Sequence, residues 1–212
     1  AVGQSALLLN TTASDNTAVG FVSLKDNTTG TRNSSVGCGA LSNNTTASSN
    51  TAIGFESSLS NTTGANNTAI GVYSMYYNTG GQKNVAVGAN SLGASGSGGS
   101  VSNNTAVGYS ALQDATTGSN NVAVGCGALQ VNTTGTCNIA MGVHSLLANT
   151  TGNNNVAIGF CANATSTDKN DNTAIGFKSL QVNTGIGNTA VGVYSADSNT
   201  SAEGITAIGN RA

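Results

Sequence analysis

The sequence predicts an all-β fold, a parallel β-solenoid or β-roll of about twelve to thirteen coils of 17 residues each. Three observations predict it. A Val-Gly or Ile-Gly dipeptide recurs at a nearly constant interval, the apolar positions alternate instead of following a helical 3.6 spacing, and changes in repeat length fall in turns. A solenoid tolerates such changes because each coil contacts only its neighbours.

The repeat is marked by its glycines. The steps between them are 17 residues throughout, except for one of 20 and one of 16. The dipeptide, once written Met-Gly, ends at Gly3, Gly20, Gly37, Gly54, Gly71, Gly88, Gly108, Gly125, Gly142, Gly159, Gly176, Gly192 and Gly209. We expect these glycines to lie directly over one another, about 4.8 Å apart along the stack, which gives roughly 58 Å for twelve steps.

Each coil is expected to contain two short strands and two bends. In residues 16–21, alternation places Thr17, Val19 and Phe21 on one face and the small side chains on the other. We expect both faces to be buried, one inside the coil and one against a further backbone layer, since small residues permit close approach. The expected core consists of the Val or Ile, the residue after Gly and a later Leu: Leu7, Leu24, Leu41, Leu92, Leu112, Leu129, Leu146 and Leu180.

Such a core is thin for a chain of this length. Burial contributes about 25 cal/mol per Å², against roughly 1 to 2 kcal/mol of ordering entropy for each residue. Association of several copies would supply the missing burial. We therefore expect a homo-oligomer, a parallel homotrimer or a filament.

The irregular steps define two unusual turns within a single repeat domain, residues 1–212. The 20-residue step coincides with a Gly- and Ser-rich tract at 93–100, which predicts an enlarged turn. The 16-residue step falls at 183–185 and predicts a shortened turn. Because the chain begins at Ala1 and stops at Ala212 inside repeats, we expect it to be an excerpt of a longer fibre.

One asparagine precedes each strand. Stacked amides can hydrogen-bond to the coils above and below and to the backbone of the turns, so we interpret this column as a structural ladder. Its members are Asn16, Asn33, Asn50, Asn67, Asn84, Asn104, Asn121, Asn138, Asn155, Asn172 and Asn188.

A second asparagine column lies in the turns and also includes Asn78. Six members match the Asn-x-Ser/Thr glycosylation pattern, which would place sugars along one edge of the fibre. An Asn-Thr-rich turn also satisfies that pattern by composition alone. The six candidates are Asn10, Asn27, Asn44, Asn61, Asn132 and Asn149.

The unit Asn-Thr/Ser/Val-Ala-Val/Ile-Gly, with a small residue three places on, resembles the head repeats of trimeric autotransporter adhesins, which read Asn-Ser-Val-Ala-Ile-Gly. Residues 121–125 and 155–159 are the nearest copies. The unit is also similar to repeat arrays in phage and large-virus tail fibres. The resemblance implies a left-handed parallel β-roll, three chains around one axis and an adhesive role, although the bacterial coils are typically shorter than 17 residues.

Charge and the length of the apolar stretches exclude two classes of partner. The chain has six basic and eight acidic residues, a formal net charge of −2, and no basic cluster, so we expect no nucleic-acid partner. No stretch approaches the ~20 apolar residues that span a bilayer, so we expect no membrane insertion by this segment.

Catalytic and metal chemistry lack candidates, and we expect no enzyme activity and no cofactor. His144 is the only histidine, and its register varies among copies, which indicates a solvated surface position. We expect the four cysteines to be free and half-buried, since Cys38 and Cys126 share a register about 24 Å apart and neither Cys137 nor Cys161 offers a pair. No spacing suits a metal.

These observations favour a structural or adhesive fibre or stalk, extracellular and on a virion or cell surface, with a host receptor or glycan as a candidate partner. The alternative is ice binding, because a column of threonines lies on one face: Thr17, Thr51, Thr68, Thr105, Thr173, Thr189 and Thr206. A third hypothesis is carbohydrate binding by scattered aromatic side chains, with the Phe residues packed and several of the tyrosines exposed; the tyrosines are Tyr73, Tyr76, Tyr77, Tyr109 and Tyr194. Depolymerisation is disfavoured because Glu56 and Glu203 lie nine coils apart.

Overall fold

The computed structural model describes residues 1–93 and 99–212, and it confirms an all-β parallel solenoid. Twelve three-residue strands form one parallel sheet whose spatial order is their order in the chain. The strands are β1 (Thr17–Val19), β2 (Ser34–Val36), β3 (Thr51–Ile53), β4 (Thr68–Ile70), β5 (Val85–Val87), β6 (Thr105–Val107), β7 (Val122–Val124), β8 (Ile139–Met141), β9 (Val156–Ile158), β10 (Thr173–Ile175), β11 (Thr189–Val191) and β12 (Thr206–Ile208).

Residues one repeat apart pair directly, as Ala18 does with Ser35. The register is kept across both irregular steps, where Val85 pairs with Thr105 and Thr173 with Thr189. An isolated parallel bridge from Val2 to Val19 extends the stack by one position before β1. Insertions and deletions therefore leave the sheet intact, and like residues form columns along the solenoid axis.

The repeat glycines of successive coils lie directly over one another along the stack. A Cβ built on Gly125 would lie 2.6 Å from the carbonyl oxygen of Gly142, its counterpart in the next coil. The same contact recurs between consecutive repeat glycines from Gly3 to Gly209, each with φ between +131° and +138°. Glycine is required here for two reasons, a backbone conformation almost closed to other residues and an axial contact that leaves no room for a side chain.

Each coil contains one strand, where the sequence predicted two. The second wall is built from turns with non-glycine residues in the left-handed region, such as Val22 at φ 48° and Leu24 at φ 52°. Their amides turn toward neighbouring coils: Val22 donates to the carbonyl of Gln4 in the coil before, and Leu24 to that of Ala40 in the coil after. Left-handed residues with side chains are uncommon, so alternation in the sequence could not reveal this wall.

The interior holds the small side chains, contrary to the expected core. Ala18 and its counterparts in β2 to β11 are fully buried inside the coil, whereas the flanking Thr and Val or Ile face outward. The reason is the width of the coil. Ser57 Oγ, on the turn wall, donates to the strand carbonyl of Ala69 over 2.9 Å, so only Ala or Ser fits between the two walls. The Val or Ile and the residue after Gly therefore do not form the core.

The later Leu is buried as predicted. Leu24, Leu41, Leu92, Leu112, Leu129, Leu146 and Leu180 are at most 1% exposed. Leu7, in the first coil, is partly buried and packs against the buried side chains around Leu24 and Leu41. Two coils carry a polar residue in this column, Ser58 and Asn163. Ser58 Oγ and both polar atoms of Asn163 are buried without a hydrogen-bond partner.

The shortened turn is visible in its hydrogen bonds. Asn183 Nδ2 donates to the carbonyl of Gly185, two residues on, whereas Asn149 Nδ2 reaches Gly152, three residues on. The enlarged turn at 93–100 lies largely outside the described residues, since 94–98 are not among them.

Gly125→Ala should lower the free energy of unfolding by at least about 3 kcal/mol, because it combines a forbidden φ with a clash against Gly142. The matched control is Gly187→Asn. Gly187 has φ +67° and open space around it, and Asn tolerates the left-handed region, so this change should stay within about 0.5 kcal/mol. Urea unfolding followed by circular dichroism measures both, and equal stability of the two variants would contradict the stacking argument.

Asn163→Leu should stabilise the protein by about 1 to 2 kcal/mol, because it removes two unpaired buried polar atoms and restores the apolar column. Leu146 and Leu180, one repeat away on either side, already adopt the same left-handed backbone. The reciprocal change, Leu146→Asn, should destabilise. A thermal midpoint that falls for Asn163→Leu would refute this account of the interior.

Candidate functional site

The first asparagine column lies inside the solenoid wall and connects every pair of adjacent coils. Asn121 shows the pattern: its Oδ1 accepts the backbone N–H of Asn138 at 2.9 Å, and its Nδ2 donates to the turn carbonyl of Gly135 at 2.9 Å. The first of these bonds recurs from Asn16, which accepts from Asn33, to Asn188, which accepts from Ile205. One side chain thus satisfies a strand amide and a turn carbonyl that would otherwise be unpaired.

The second asparagine column is also buried. Asn44 Nδ2 donates to Asn27 Oδ1 in the preceding coil at 2.8 Å and to the carbonyl of Ala47 at 3.0 Å. Five of the six glycosylation candidates are fully buried: Asn27, Asn44, Asn61, Asn132 and Asn149. The sixth, Asn10 in the first coil, is half-buried and donates to Ala13.

Burial bears directly on glycosylation. A glycan on any of the five buried asparagines would have to cross the coil wall, and it would take one of the two N–H groups of an Nδ2 atom that already donates inside its turn. Glycosylation stays a prediction, and burial disfavours it at these five positions in the folded coils.

The outer side of the sheet carries two exposed columns that we call the apolar face. The first is the last residue of each strand, 36 to 41% exposed at Val19, Val36, Ile53, Ile70, Val124, Met141, Ile158 and Ile175. The second is the residue after each repeat glycine: Phe21, Cys38, Phe55, Val72, Ala89, Tyr109, Cys126, Val143, Phe160, Phe177, Val193 and Asn210. Neither column contains a charged residue. Single exposed apolar residues are ordinary, but columns along twelve coils are not.

The threonine column flanks the apolar face. It is the first residue of each strand and is exposed or half-buried throughout, for example at Thr17 and Thr51. The column is interrupted by Ser34, Val85, Val122, Ile139 and Val156. The outward surface of the sheet is therefore mixed hydroxyl and aliphatic on one side and, up to Asn210 in the last coil, free of polar amide and charged side chains on the other.

All four cysteines are free thiols. Cys38, Cys126 and Cys137 are exposed and Cys161 is half-buried, so the expectation of half-buried thiols is wrong for three of them. The reason is again the width of the coil, which places Cys38 and Cys126 on the apolar face instead of inside.

A pocket of about 380 Å³ interrupts the wall of turns, and we call it the tyrosine pocket. Its polar and aromatic lining is Glu56, Tyr73, Tyr76, Tyr77, Asn90 and Gln113, and Gly93 completes it. The lining comes from coils adjacent in the stack, from the second and the fifth residues after the repeat glycines and, at Tyr77, from the sixth. In the fifth-residue column Gly93 stands between Tyr76 and Gln113, so the pocket occupies the place of a missing side chain.

The aromatic wall of the pocket is ordered by edge-to-face contacts. Ring centroids lie 5.5 Å apart for Phe55 and Tyr73, 5.4 Å for Tyr73 and Tyr76, and 4.5 Å for Tyr76 and Tyr77. Burial raises the pKa of the Tyr76 hydroxyl, and the negative charge of Glu56 raises that pKa further. Tyr76 therefore stays protonated at neutral pH and can donate a hydrogen bond.

A second aromatic cluster lies near the end of the stack. Phe160 and Phe177 are stacked at 5.3 Å, and Phe177 meets Tyr194 edge-on at 5.3 Å. Lys178 and Arg211 lie over these rings, each within 6 Å of the Tyr194 centroid. The four Phe residues were expected to be packed, yet Phe21, Phe55, Phe160 and Phe177 are 39 to 51% exposed, because they belong to the apolar face.

Other kinds of site find little support in the residues that the structure describes. No group of three or more His, Cys, Asp or Glu side chains in them converges as a metal site would require. Nor do they form any helix with the length and apolarity to cross a bilayer. His144 is half-buried and its backbone amide donates to Cys126 in the preceding coil.

Sequence reasoning named the three tyrosines of the pocket as scattered surfaces and missed their convergence with Glu56, Asn90 and Gln113. A signal was available. Glu56, Tyr73 and Asn90 are each the second residue after a repeat glycine in three successive coils, so they share one column. Aligning the second and fifth positions together would have brought five of the six side chains to one place, with Tyr77 next to Tyr76 in the chain.

Asn121→Asp should destabilise the fold by about 2 to 4 kcal/mol at pH 7, because a buried carboxylate would face the carbonyl of Gly135. Burial raises the folded-state pKa of the new carboxyl above its unfolded value. The destabilisation should therefore shrink as the pH falls below that folded pKa and the carboxyl regains a proton to donate. Urea midpoints at pH 7 and pH 4.5 measure it.

The matched control for this substitution is the neighbouring Asn120→Asp. Asn120 is exposed, and the same register carries Asp15 and Asp171 in other copies, so its stability should change little at either pH. A loss of stability at Asn121→Asp that does not depend on pH would show that the ladder amide is not the group responsible.

Comparison with known proteins gives no relative for this chain. No family model, no curated protein and no solved structure matches it. The columns and surfaces described above therefore carry the functional argument.

Proposed function

We propose that this chain is a shaft segment of an extracellular structural or adhesive fibre, on a virion or a cell surface, in which copies associate side by side through the apolar face. The observation that supports it is the length of that face, which runs along all twelve strands without a charged residue. A monomer in water gains nothing from such a surface. A second copy would bury it.

The dimensions of the face suit a stable interface. Twelve steps of ~4.8 Å give a length of roughly 58 Å, and four residues along a strand direction give a width of about 13 Å. The product, about 750 Å², is close to the ~800 Å² per partner of a standard protein interface. Copies packed in this way would bury side chains that are now 36 to 51% exposed, such as Ile53 and Phe21.

The thin interior gives a second reason for association. Its buried apolar side chains are mostly Ala, with about one Leu in each coil. The larger aliphatic and aromatic side chains are outside, so one copy alone leaves most of its apolar burial unrealised. Association is the step that would turn these side chains into a core.

The arrangement we propose is a parallel trimer of the kind found in trimeric autotransporter adhesin heads. A parallel, in-register assembly brings each coil against the same coil of another copy, so that the columns of the apolar face meet column to column. Closed rotational symmetry then hides the face of every copy from water. The resemblance of residues 121–125 to the adhesin repeat favours three copies.

Ice binding is the second candidate because the threonine column lies on the outward side of a regular sheet. Five of the twelve positions in that column carry another residue, and four of those five are aliphatic. Freezing-point depression by the intact chain, lost in a variant of the threonine column such as Thr68→Lys, would favour this function over the fibre.

Substitution of lysine on the apolar face should dissociate the assembly. We expect sedimentation of the native chain to give a multiple of the 20.7 kDa monomer mass, and the Val124→Lys, Ile158→Lys double variant to sediment as a monomer. The matched control is Thr134→Lys, Thr151→Lys, which places the same charges on exposed turns in the same stretch of the stack and should stay associated.

Crosslinking tests the parallel register. A variant that keeps Cys38 as its only cysteine should form covalent oligomers with a short bismaleimide, because Cys38 lies on the apolar face of every copy. A variant that keeps only Cys137, in a turn, should not. A native chain that sediments as a monomer, with no crosslink at Cys38, would overturn the proposal.

A further inference from the structure

The tyrosine pocket has a specific structural origin that sets it apart from the rest of the stack. The fifth residue after the repeat glycine is Leu59, Tyr76, Gly93, Gln113 and Gln130 in five successive coils. Gly93 removes one side chain from this otherwise filled column, and it belongs to the 20-residue coil between Gly88 and Gly108. The gap lies between Tyr76 and Gln113, both of which line the pocket.

The pocket offers apolar ring surface and hydrogen-bonding groups together. Tyr73 and Tyr77 remain 39% and 37% exposed, so their rings are open to a ligand as well as to each other. The C–H groups of a sugar ring stack on such aromatic surfaces, and its hydroxyls need polar partners at the rim. Three residues, Glu56, Asn90 and Gln113, supply those partners.

The balance of donors and acceptors selects the ligand class. Glu56 accepts hydrogen bonds only, whereas the amides of Asn90 and Gln113 donate and accept, as sugar hydroxyls do. An organic cation would use the rings and Glu56 but would leave the amide donors unused. An anionic ligand would face the carboxylate of Glu56, and the described lining contains no Lys or Arg.

We propose that the tyrosine pocket binds one unit of a neutral saccharide chain, with a sugar ring stacked on Tyr73 or Tyr77 and its hydroxyls bonded to Glu56, Asn90 and Gln113. A volume of about 380 Å³ is at the small end of ligand pockets, which suits one ring. The pocket is open to the surface, so the rest of the chain can continue over the wall of turns.

The site deepens the proposed adhesive role but is tested independently of it. The second aromatic cluster, around Phe177 and Tyr194, provides an internal comparison because its rings lie under the cations of Lys178 and Arg211. Saccharide binding by a monomeric chain would support the binding site and contradict the fibre role. An oligomer that binds no saccharide would support the fibre role and contradict the binding site.

Titration of the full chain with maltotriose, cellotriose and mannotriose tests the site. The chain has five Tyr and no Trp, and three of the five tyrosines line the pocket, so intrinsic fluorescence reports on it directly. We expect at least one trisaccharide to change the fluorescence and to give saturable heat by calorimetry. A trisaccharide of galacturonic acid should bind at least about tenfold more weakly because of Glu56.

Two variants locate the binding. Gly93→Gln restores to the gap the residue found at Gln113 and Gln130, keeps every tyrosine, and should weaken binding at least about tenfold by occupying the pocket. Its fold is checked by circular dichroism and by an unchanged oligomeric mass. Tyr73→Ala should weaken binding to a similar extent, whereas Tyr194→Ala, in the second aromatic cluster, should leave it unchanged.

Three results would overturn the assignment. One is the absence of fluorescence change and heat with all three neutral trisaccharides at 10 mM, roughly the weakest useful affinity for a single site. A second is binding that survives in folded Gly93→Gln. The third is saturable binding of tetramethylammonium without binding of any trisaccharide, which would reassign the pocket to a cationic ligand.

Discussion

The axial contact between repeat glycines is the constraint on which the rest of the structure depends. The carbonyl of Gly142 occupies the space that a side chain on Gly125 would need, and the same contact recurs along the stack. Consecutive coils can approach this closely only where both carry glycine in this backbone conformation. The contact fixes one point of every coil, so the following residues fall into columns, and any change in repeat length must be absorbed before the next glycine.

Columns make position, more than residue type, decide the environment of a side chain. Asn121 is buried in the ladder, whereas Asn120 beside it is exposed. Ala in the strand is inside, whereas the Val or Ile beside it is outside. The interior is consequently rich in amides and hydroxyls that hydrogen-bond from coil to coil. Its apolar core is small and consists mainly of Ala and Leu side chains. The asparagine ladders fix the register of the coils. Many of the large apolar side chains remain exposed on the outer face.

The sequence was sufficient for the period, the parallel register and the two asparagine columns, because each depends only on spacing. It was not sufficient for the side of the strand that faces inward. Val19 is larger and more apolar than Ala18, so hydrophobicity placed Val19 inside, but the distance between the strand wall and the turn wall admits only Ala or Ser. That distance depends on left-handed residues such as Leu24, whose conformation a sequence does not display. The sequence did not reveal the tyrosine pocket because its lining spans 57 positions, from Glu56 to Gln113. The proximity of these residues becomes visible only when each is assigned to its coil and column.

A linear stack separates support from recognition in a way that a globule cannot. The apolar face uses the positions that the repeat glycines hold in strict register, so it repeats in every coil. The partner that we propose for it, another copy of the chain, has the same period. Recognition needs a place that differs from its neighbours, and in this solenoid such a place arises where one column loses a side chain. Gly93 provides it without a shift in register, because Val85 still pairs with Thr105 across the longer coil. In the function that we propose, this single small residue in the longer coil adds a binding site to a solenoid whose stacking is unchanged.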